Sequence, residues 1–176
     1  MNISRNWLKE FVDIEATDRE YDEIMTIAGQ KVETTTRMDA EIKNVVVGKV
    51  LSMARHENSD HMWVCMVDVG AEQPVQIVTG AQNVHEGDLV PVAQHNSWLP
   101  GGVHITKGKL RGVESCGMLC SYKELGLTEH DCPEAYADGI WILNDEGCEI
   151  GEDMNVVIGN DDSIVEFEIT NNRPDC

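Results

Sequence analysis

The chain has 176 residues and a formal net charge of −19, because 32 Asp and Glu residues outnumber 13 Lys and Arg residues. This acidity argues against a protein that coats nucleic acid without regard to sequence and against one that binds an anionic membrane surface, since both surfaces would repel the chain. Hydrophobic residues, at 41%, suffice for a core, and no apolar run approaches the roughly 20 residues that span a bilayer. With no apolar signal peptide, the sequence predicts a soluble, cytoplasmic protein with no membrane contact.

Two helices and a strand are predicted at the N-terminus. Ser4 can cap a short first helix, and Thr17 with Glu20 has the spacing of a capping box that begins a second helix. Gly29 supplies the end of that second helix. Alternating side chains over 32–38 then predict a strand.

From about Asp39 the pattern becomes all-β. Short runs of β-branched and apolar residues recur about every ten residues, separated by Gly, Pro and acidic turn residues, as is typical of a small barrel or sandwich. The predicted strands are 45–51, 62–69, 75–79, 89–93 and 140–143. A further alternating segment, 163–170, predicts a strand after the barrel.

This order predicts a mainly β chain with two domains. Residues 1–39 and 152–176 would form a split α+β domain, in which strand 163–170 pairs with strand 32–38. Residues 40–151 would form a barrel inserted between these two parts. Residues 172–176 resemble a turn, but no helix or cap follows it. The sequence therefore predicts that the chain is truncated at its C-terminal end.

The acidic residues are unevenly distributed. No Asp or Glu occurs from Leu89 to Val113, and the alternation of Lys107, Lys109 and Arg111 would place three cations on one side of a strand. That arrangement suits a row of phosphates. On charge alone, ordinary solvated lysines are an equally good explanation.

No catalytic or metal site is predicted. Cys116 and Cys120, with His130 and Cys132, lack the spacing of a zinc knuckle, so buried, unbridged cysteines are favoured over zinc or disulfides. The hydrophilic segment 56–61 contains two histidines and two acids, but a solvated turn is favoured there over a metal site.

Eight blocks of sequence, in order, resemble the beta subunit of bacterial phenylalanyl-tRNA synthetase. They are NWLKEFV at 6–12, VGKV at 47–50, CMVDVG at 65–70, IVTGAQNV at 77–84, LRGVES at 110–115, GMLCS at 117–121, ELGL at 124–127 and TNNRPDC at 170–176. The resemblance implies that the barrel is an OB-fold, a five-stranded Greek-key barrel of the tRNA-binding type, inserted in a split α+β domain.

The resemblance also implies site residues. It places candidate RNA contacts at Lys107, Lys109, Arg111, Ser115 and Met118. Trp63 and Trp98 are possible stacking surfaces, although burial in the core is the favoured alternative for each.

For the whole enzyme, the resemblance implies an α2β2 assembly that attaches phenylalanine to tRNA(Phe) with ATP and Mg²⁺. In that family the aminoacylation site belongs to the alpha subunit and the editing site lies beyond the end of this chain, so the chain alone is predicted to be non-catalytic. A free-standing enzyme is the least favoured hypothesis.

Two departures from the family weaken the predicted electrostatic attraction to RNA. The chain has His-Glu-Asn-Ser-Asp-His-Met at 56–62 where the family has His-Pro-Asn-Ala-Asp-Lys-Leu, a gain of an acid and a loss of a lysine. The segment from His130 to Asp138 resembles a longer, acidic insertion. A structural or docking domain that does not touch tRNA therefore remains an alternative.

Overall fold

The computed structural model describes residues 1–132, 138–144 and 147–172. They fall into two compact units: a flank unit, made of Met1–Ala40 and the segment from Gly159 onward, and a barrel unit, Glu41–Ile158. The strands are β1 (Asn2–Ser4), β2 (Lys31–Arg37), β3 (Lys43–Arg55), β4 (Trp63–Asp68), β5 (Val75–Thr79), β6 (Leu89–Leu99), β7 (Val103–Ile105), β8 (Gly108–Leu110), β9 (Val113–Ser115), β10 (Gly117–Leu119) and β11 (Ser163–Glu168). The helices are α1 (Arg5–Lys9), α2 (Asp18–Ile27) and α3 (Met154–Val157).

The flank unit is a three-stranded antiparallel sheet in the order β1-β11-β2, joined to α1 and α2. The predicted pairing of its first and last long strands is confirmed, since β11 runs against β2 from Ser163 opposite Arg37 to Glu168 opposite Lys31. The predicted capping box also forms at the start of α2. Its small core centres on Tyr21, Val165 and Phe167.

The barrel unit confirms the prediction of a mainly β, OB-type barrel. Its strands follow the order β10-β6-β3-β4-β5, with every neighbouring pair antiparallel. The two end strands approach each other: the Cys116 N–H donates to the Gln76 carbonyl over 2.8 Å. This contact makes the barrel nearly closed, so the sheet is left without a long open edge.

Valines fill the barrel because β-branched side chains suit a strand whose alternate residues face inward. Val45, Val47 and Val50 of β3 and Val90 and Val92 of β6 have no exposed area. At Gly48 the strands approach so closely that a Cβ atom would lie 2.5 Å from the Val92 Cγ2 atom.

The segment predicted as a strand at 140–143 is not a strand. It is held to the barrel by isolated backbone bonds, from Trp141 N–H to the Cys120 carbonyl over 3.1 Å and from Leu143 N–H to the Leu89 carbonyl over 2.8 Å. The Asn83 side chain also bonds both backbone groups of Ile140. Such widely spaced contacts bury apolar residues without forming a ladder.

The division between the units after the barrel lies at Ile158, later than the predicted boundary after Gly151. Met154 of α3 is buried in the barrel core, and the Asn155 amide donates to the Ile42 carbonyl over 3.0 Å. Most of the predicted acidic insertion and the last four residues of the chain lie outside the described residues. In the part that is described, no helix is long and apolar enough to cross a membrane.

Candidate nucleic-acid interface

The three predicted cations lie around a short hairpin formed by β8 and β9. Its loop is Arg111-Gly112, and both residues have positive φ angles, +48° and +94°. This is the conformation of a tight type I′ turn, which matches the twist of the two strands. The prediction that all three cations share one side of a strand is wrong, because β8 contains only Lys109. Lys107 precedes the strand and Arg111 occupies the turn.

The segment between β3 and β4, residues 56–62, meets this hairpin through His56. The His56 side chain is only 3% exposed, and its Nε2 atom lies 3.1 Å from the Leu110 carbonyl. The Asn58 N–H donates to the His56 Nδ1 atom over 3.0 Å. A neutral imidazole with its proton on Nε2 satisfies both contacts. The sequence predicted that this segment is a solvated turn. For His56 that prediction is wrong, because its side chain is buried and both of its nitrogens are engaged.

Arg111 makes the second link between the two loops. Its Nη1 atom donates to the Asn58 carbonyl over 3.3 Å. In an OB-fold, the loops that follow the first and fourth strands lie at the edge where oligonucleotides bind. Segment 56–62 follows the first barrel strand, β3, and the hairpin follows the fourth, β6. The sequence signal for this junction was the agreement of His56 and Asn58 with the family pattern, among positions that depart from it.

Ser115 is placed differently from the other predicted contacts. It is only 4% exposed, and its hydroxyl accepts from the Val78 N–H over 3.0 Å and donates to the Gly117 carbonyl over 2.8 Å. Both contacts hold β9 against β5 and β10. Ser115 thus anchors the hairpin to the barrel and does not present its hydroxyl to solvent.

Lys107 precedes the hairpin in the chain, and Met118 follows it. Met118, half-buried in β10, lines a groove of about 520 Å³ with Leu110, and Glu124 and Asp138 also line it. Lys107 is exposed, and its backbone N–H donates to the His95 Nδ1 atom over 3.1 Å. The structure thus brings Leu110 and Met118 to one groove, next to the cationic hairpin.

The charge of this edge is mixed. Within the described residues, no carboxylate lies within ion-pair distance of Lys107, Lys109 or Arg111. However, Glu114 is directly opposite Lys109 across the hairpin. The adjoining segment 56–62 contributes two further acids. The three cations are therefore available to an anion, but the nearby acids weaken the positive potential that they produce.

The two tryptophans named as stacking candidates have different environments. Trp63 is half-buried, with the Arg55 guanidinium 4.7 Å from its ring centroid and its Nε1 atom donating to Gln82 over 3.3 Å. Trp98 is 42% exposed and stacks on His104, with ring centroids 4.3 Å apart and planes 11° apart. Burial, the favoured alternative from sequence, is wrong for Trp98.

Two of the cysteines, Cys65 and Cys120, are buried in the barrel core and provide no reactive thiol. Burial raises the pKa of the Cys65 thiol to about 11. Burial, with the nearby charge of Glu124, raises that of Cys120 to about 12. Both thiols stay protonated at neutral pH and act as small apolar side chains. Over the ranges that the structure describes, no three His, Cys, Asp or Glu side chains come together as a metal site.

Comparison with known proteins gives the family. A family model for a putative tRNA binding domain matches residues 45–139. The phenylalanine–tRNA ligase beta subunits of Clostridium acetobutylicum and Clostridium tetani are 48% and 47% identical over the whole chain, which spans 22% of each relative's length. A solved MetRS related protein from Pyrococcus horikoshii aligns with 61% of this chain and 85% of its own, at 22% identity and a TM-score of 0.40. The matched domain covers more than half of the sequence, and the chain belongs to the putative tRNA binding domain family.

Proposed function

We propose that this chain is the tRNA-binding module of a phenylalanine–tRNA ligase beta subunit and that it holds tRNA phosphates with Lys107, Lys109 and Arg111. One observation carries the proposal: the junction of His56 with Leu110 fixes the cationic hairpin at the edge of the barrel where OB-folds bind oligonucleotides. Because the hairpin is already fixed, little conformational entropy is lost when RNA binds.

The contacts proposed here would position the RNA and would not specify its sequence. Lysine offers a mobile point charge to a phosphate, whereas the Arg111 guanidinium can offer two parallel N–H donors. Met118 and Leu110 give the adjoining groove an apolar surface for a base. In this proposal Ser115 acts by holding the hairpin, through its bonds to Val78 and Gly117.

A titration of labelled tRNA(Phe) at several salt concentrations tests the proposal. With two or three phosphates neutralised, the slope of log K against log salt should be about −1.5 to −2, at roughly 0.7 per contact. The acids nearby should keep the dissociation constant at about 10⁻⁴ M or weaker near physiological salt. An absence of binding at low salt would contradict the proposal and favour a purely structural domain.

A charge-matched pair of variants locates the site. Replacing Lys107, Lys109 and Arg111 together by Ala should abolish binding. The control replaces Lys9, Arg19 and Lys49, which are exposed and are not part of the hairpin. It removes the same charge and should cost only the small, nonspecific part of the affinity. Equal losses in the two variants would show that only net charge matters and would contradict a site at the hairpin.

We infer further that the chain works in the cytoplasm within an α2β2 enzyme that charges tRNA(Phe), with the alpha subunit as its partner. The described residues offer no cluster that fits Mg²⁺, so the proposal assigns ATP and Mg²⁺ to the rest of the enzyme. Pyrophosphate exchange with phenylalanine and ATP should remain at background for the 176-residue chain. It should appear when the complete beta subunit is purified with the alpha subunit. Exchange by the chain alone would contradict this assignment.

A further inference from the structure

We infer that Trp98 and His104 form a stacking platform for an unpaired nucleobase of single-stranded RNA. This subsite is separate from the β8–β9 hairpin and lies on the outer surface of β6 and β7. The inference rests on the proposed function, because it adds a base-binding subsite to a module that binds phosphates elsewhere.

The strand register places the two rings on one face. Trp98 is directly opposite His104 in the β6–β7 pair, and Lys43 of β3 is opposite Trp98 on the other side. Directly opposed residues of neighbouring antiparallel strands project to the same side of a sheet. Ser97 and Leu99, the neighbours of Trp98, are buried, so the Trp98 side chain points away from the barrel interior.

The indole can accept a second ring. His104 lies almost parallel to it, with an interplanar angle of 11°, and therefore covers only one of its two faces. Trp98 remains 42% exposed. A base on the face opposite His104 would extend the stack, and stacking on an aromatic side chain accepts any base because every base has a π face.

Polar contacts fix the strand segment that carries the platform. Asn44 and Asn96 have positive φ angles, +59° and +64°, which is uncommon outside glycine. The Asn44 side chain donates to the His95 carbonyl over 2.9 Å, and the Lys107 N–H donates to the His95 ring. The backbone leading into Trp98 is thus held on both sides, which lowers the entropy lost when a ligand stacks.

The charge near the platform favours RNA over a protein partner. Lys43 flanks Trp98, and Lys107 contacts His95, three residues before Trp98. The stretch from Leu89 to Val113 contains no acid, in a chain with a net charge of −19. The nearest acid before Lys43 in the chain is Glu41. An aromatic surface with flanking cations and few acids complements bases linked by phosphates.

Two probes of equal charge separate stacking from phosphate binding. One is a fluorescein-labelled single-stranded RNA oligonucleotide, and the other is an abasic oligonucleotide of the same length. With the 176-residue chain, Trp98→Ala should weaken binding of the first probe by about fivefold to a hundredfold, the range expected for one stacked base. It should leave the abasic probe and the salt slope unchanged, because no phosphate contact is removed.

Further variants guard against a folding defect. Trp98→Phe keeps an aromatic face and should retain most of the affinity, and His104→Ala should cause a smaller loss than Trp98→Ala. Trp7→Ala is the matched control, because Trp7 is also exposed but packs edge-on against Phe11, in the flank unit. The indole fluorescence should be quenched by the base-bearing probe, and this quenching should be lost in Trp98→Phe.

The outcomes distinguish this inference from the proposed function. If the triple cation variant abolishes binding while Trp98→Ala has no effect, the platform is overturned and the hairpin site stands. If Trp98→Ala acts as expected while the triple variant binds normally, the platform stands and the hairpin site falls. Equal losses on both probes, or a changed salt slope, would overturn the platform. No binding of either probe by the parent chain at low salt would overturn both.

Discussion

The two units of the chain are stabilised in different ways. In the barrel unit, valines with no exposed area fill the interior of a nearly closed sheet. In the flank unit, the core is small, and the large apolar side chains of Phe11 and Ile27 remain 70% and 87% exposed. The barrel should therefore depend mainly on close packing, whereas the flank unit should depend more on polar contacts.

Asp162 shows what the flank unit uses in place of a large core. Its carboxylate accepts from the Ser4 hydroxyl, the Asn6 N–H over 2.9 Å and the Ser163 N–H over 2.7 Å. Burial alone would raise the pKa of Asp162, but these hydrogen bonds outweigh burial and lower it. Ser4 is also the N-cap of α1, so one carboxylate fixes the start of that helix against β11.

Phe167→Ala should have the largest effect. Phe167 is buried in the small flank core, and truncating such a ring costs about 3 kcal/mol or more. Hydrogen exchange should show lost protection in β2 and β11, with protection in β3 and β6 retained. Phe11→Ala removes the same group from an exposed position and should change little. Equal loss of protection in the barrel strands would contradict the distinction between the two units.

Gly48→Ala tests the dependence of the barrel on close packing. The new methyl group would lie 2.5 Å from Val92 and 2.8 Å from Val67, which are buried and stiff at χ1. We expect a loss of about 1–3 kcal/mol in the free energy of unfolding, measured by urea with the fluorescence of buried Trp141. Gly80→Ala, where a Cβ would meet no atom within 4 Å, is the control. Equal effects of the two substitutions would exclude a packing cause.

Acid should weaken the flank unit before the barrel. The pKa values of Glu20, Glu33 and Asp162 are lowered by hydrogen bonds in the flank unit. In the described barrel residues, Asp131 is the carboxyl group with such a shift. A carboxyl group with a lowered pKa stabilises the fold above its ordinary pKa, and this stabilisation is lost as the pH falls through the folded-state value.

For Asp162 the ordinary pKa is 3.8, so the loss should begin near that pH and continue below it. Amide exchange of β2 and β11, followed from pH 6 to pH 3, measures it with correction for intrinsic rates. Asp162→Asn should destabilise the flank unit at neutral pH and flatten its pH dependence. An unchanged pH profile in this variant would show that Asp162 is not responsible.

Arg111→Asn should have the smallest effect on stability, and in the opposite direction. Asn tolerates the left-handed backbone at position 111, and Asn-Gly is the preferred sequence for a type I′ turn. The variant should gain up to about 1 kcal/mol from the relieved left-handed backbone, while its affinity for tRNA falls because a cation is lost. Arg111→Lys keeps the charge and should show no gain in stability. A destabilised Arg111→Asn variant would mean that the bond from Arg111 to Asn58 outweighs the backbone strain.

The periodic parts of the fold were predictable from sequence, and the irregular parts were not. The capping box at Thr17 and the alternating strands that fill the barrel follow from local rules. The hairpin at Arg111 was missed because a non-glycine residue at positive φ gives no local signal. Likewise, the buried state of His56 depends on Leu110, which lies 54 residues away. Tertiary contacts of this kind decide the candidate site, so the residue types were predictable but their geometry was not.

The single imidazole of His56 has a consequence for how related chains can vary. Both of its nitrogens are engaged, one by segment 56–62 and the other by the hairpin. An insertion or deletion in either loop would displace one partner and leave a buried nitrogen unsatisfied, at a cost of about 1–3 kcal/mol. Loop lengths on the two sides should therefore change together among homologues, or the histidine should be replaced wherever one of them changes alone.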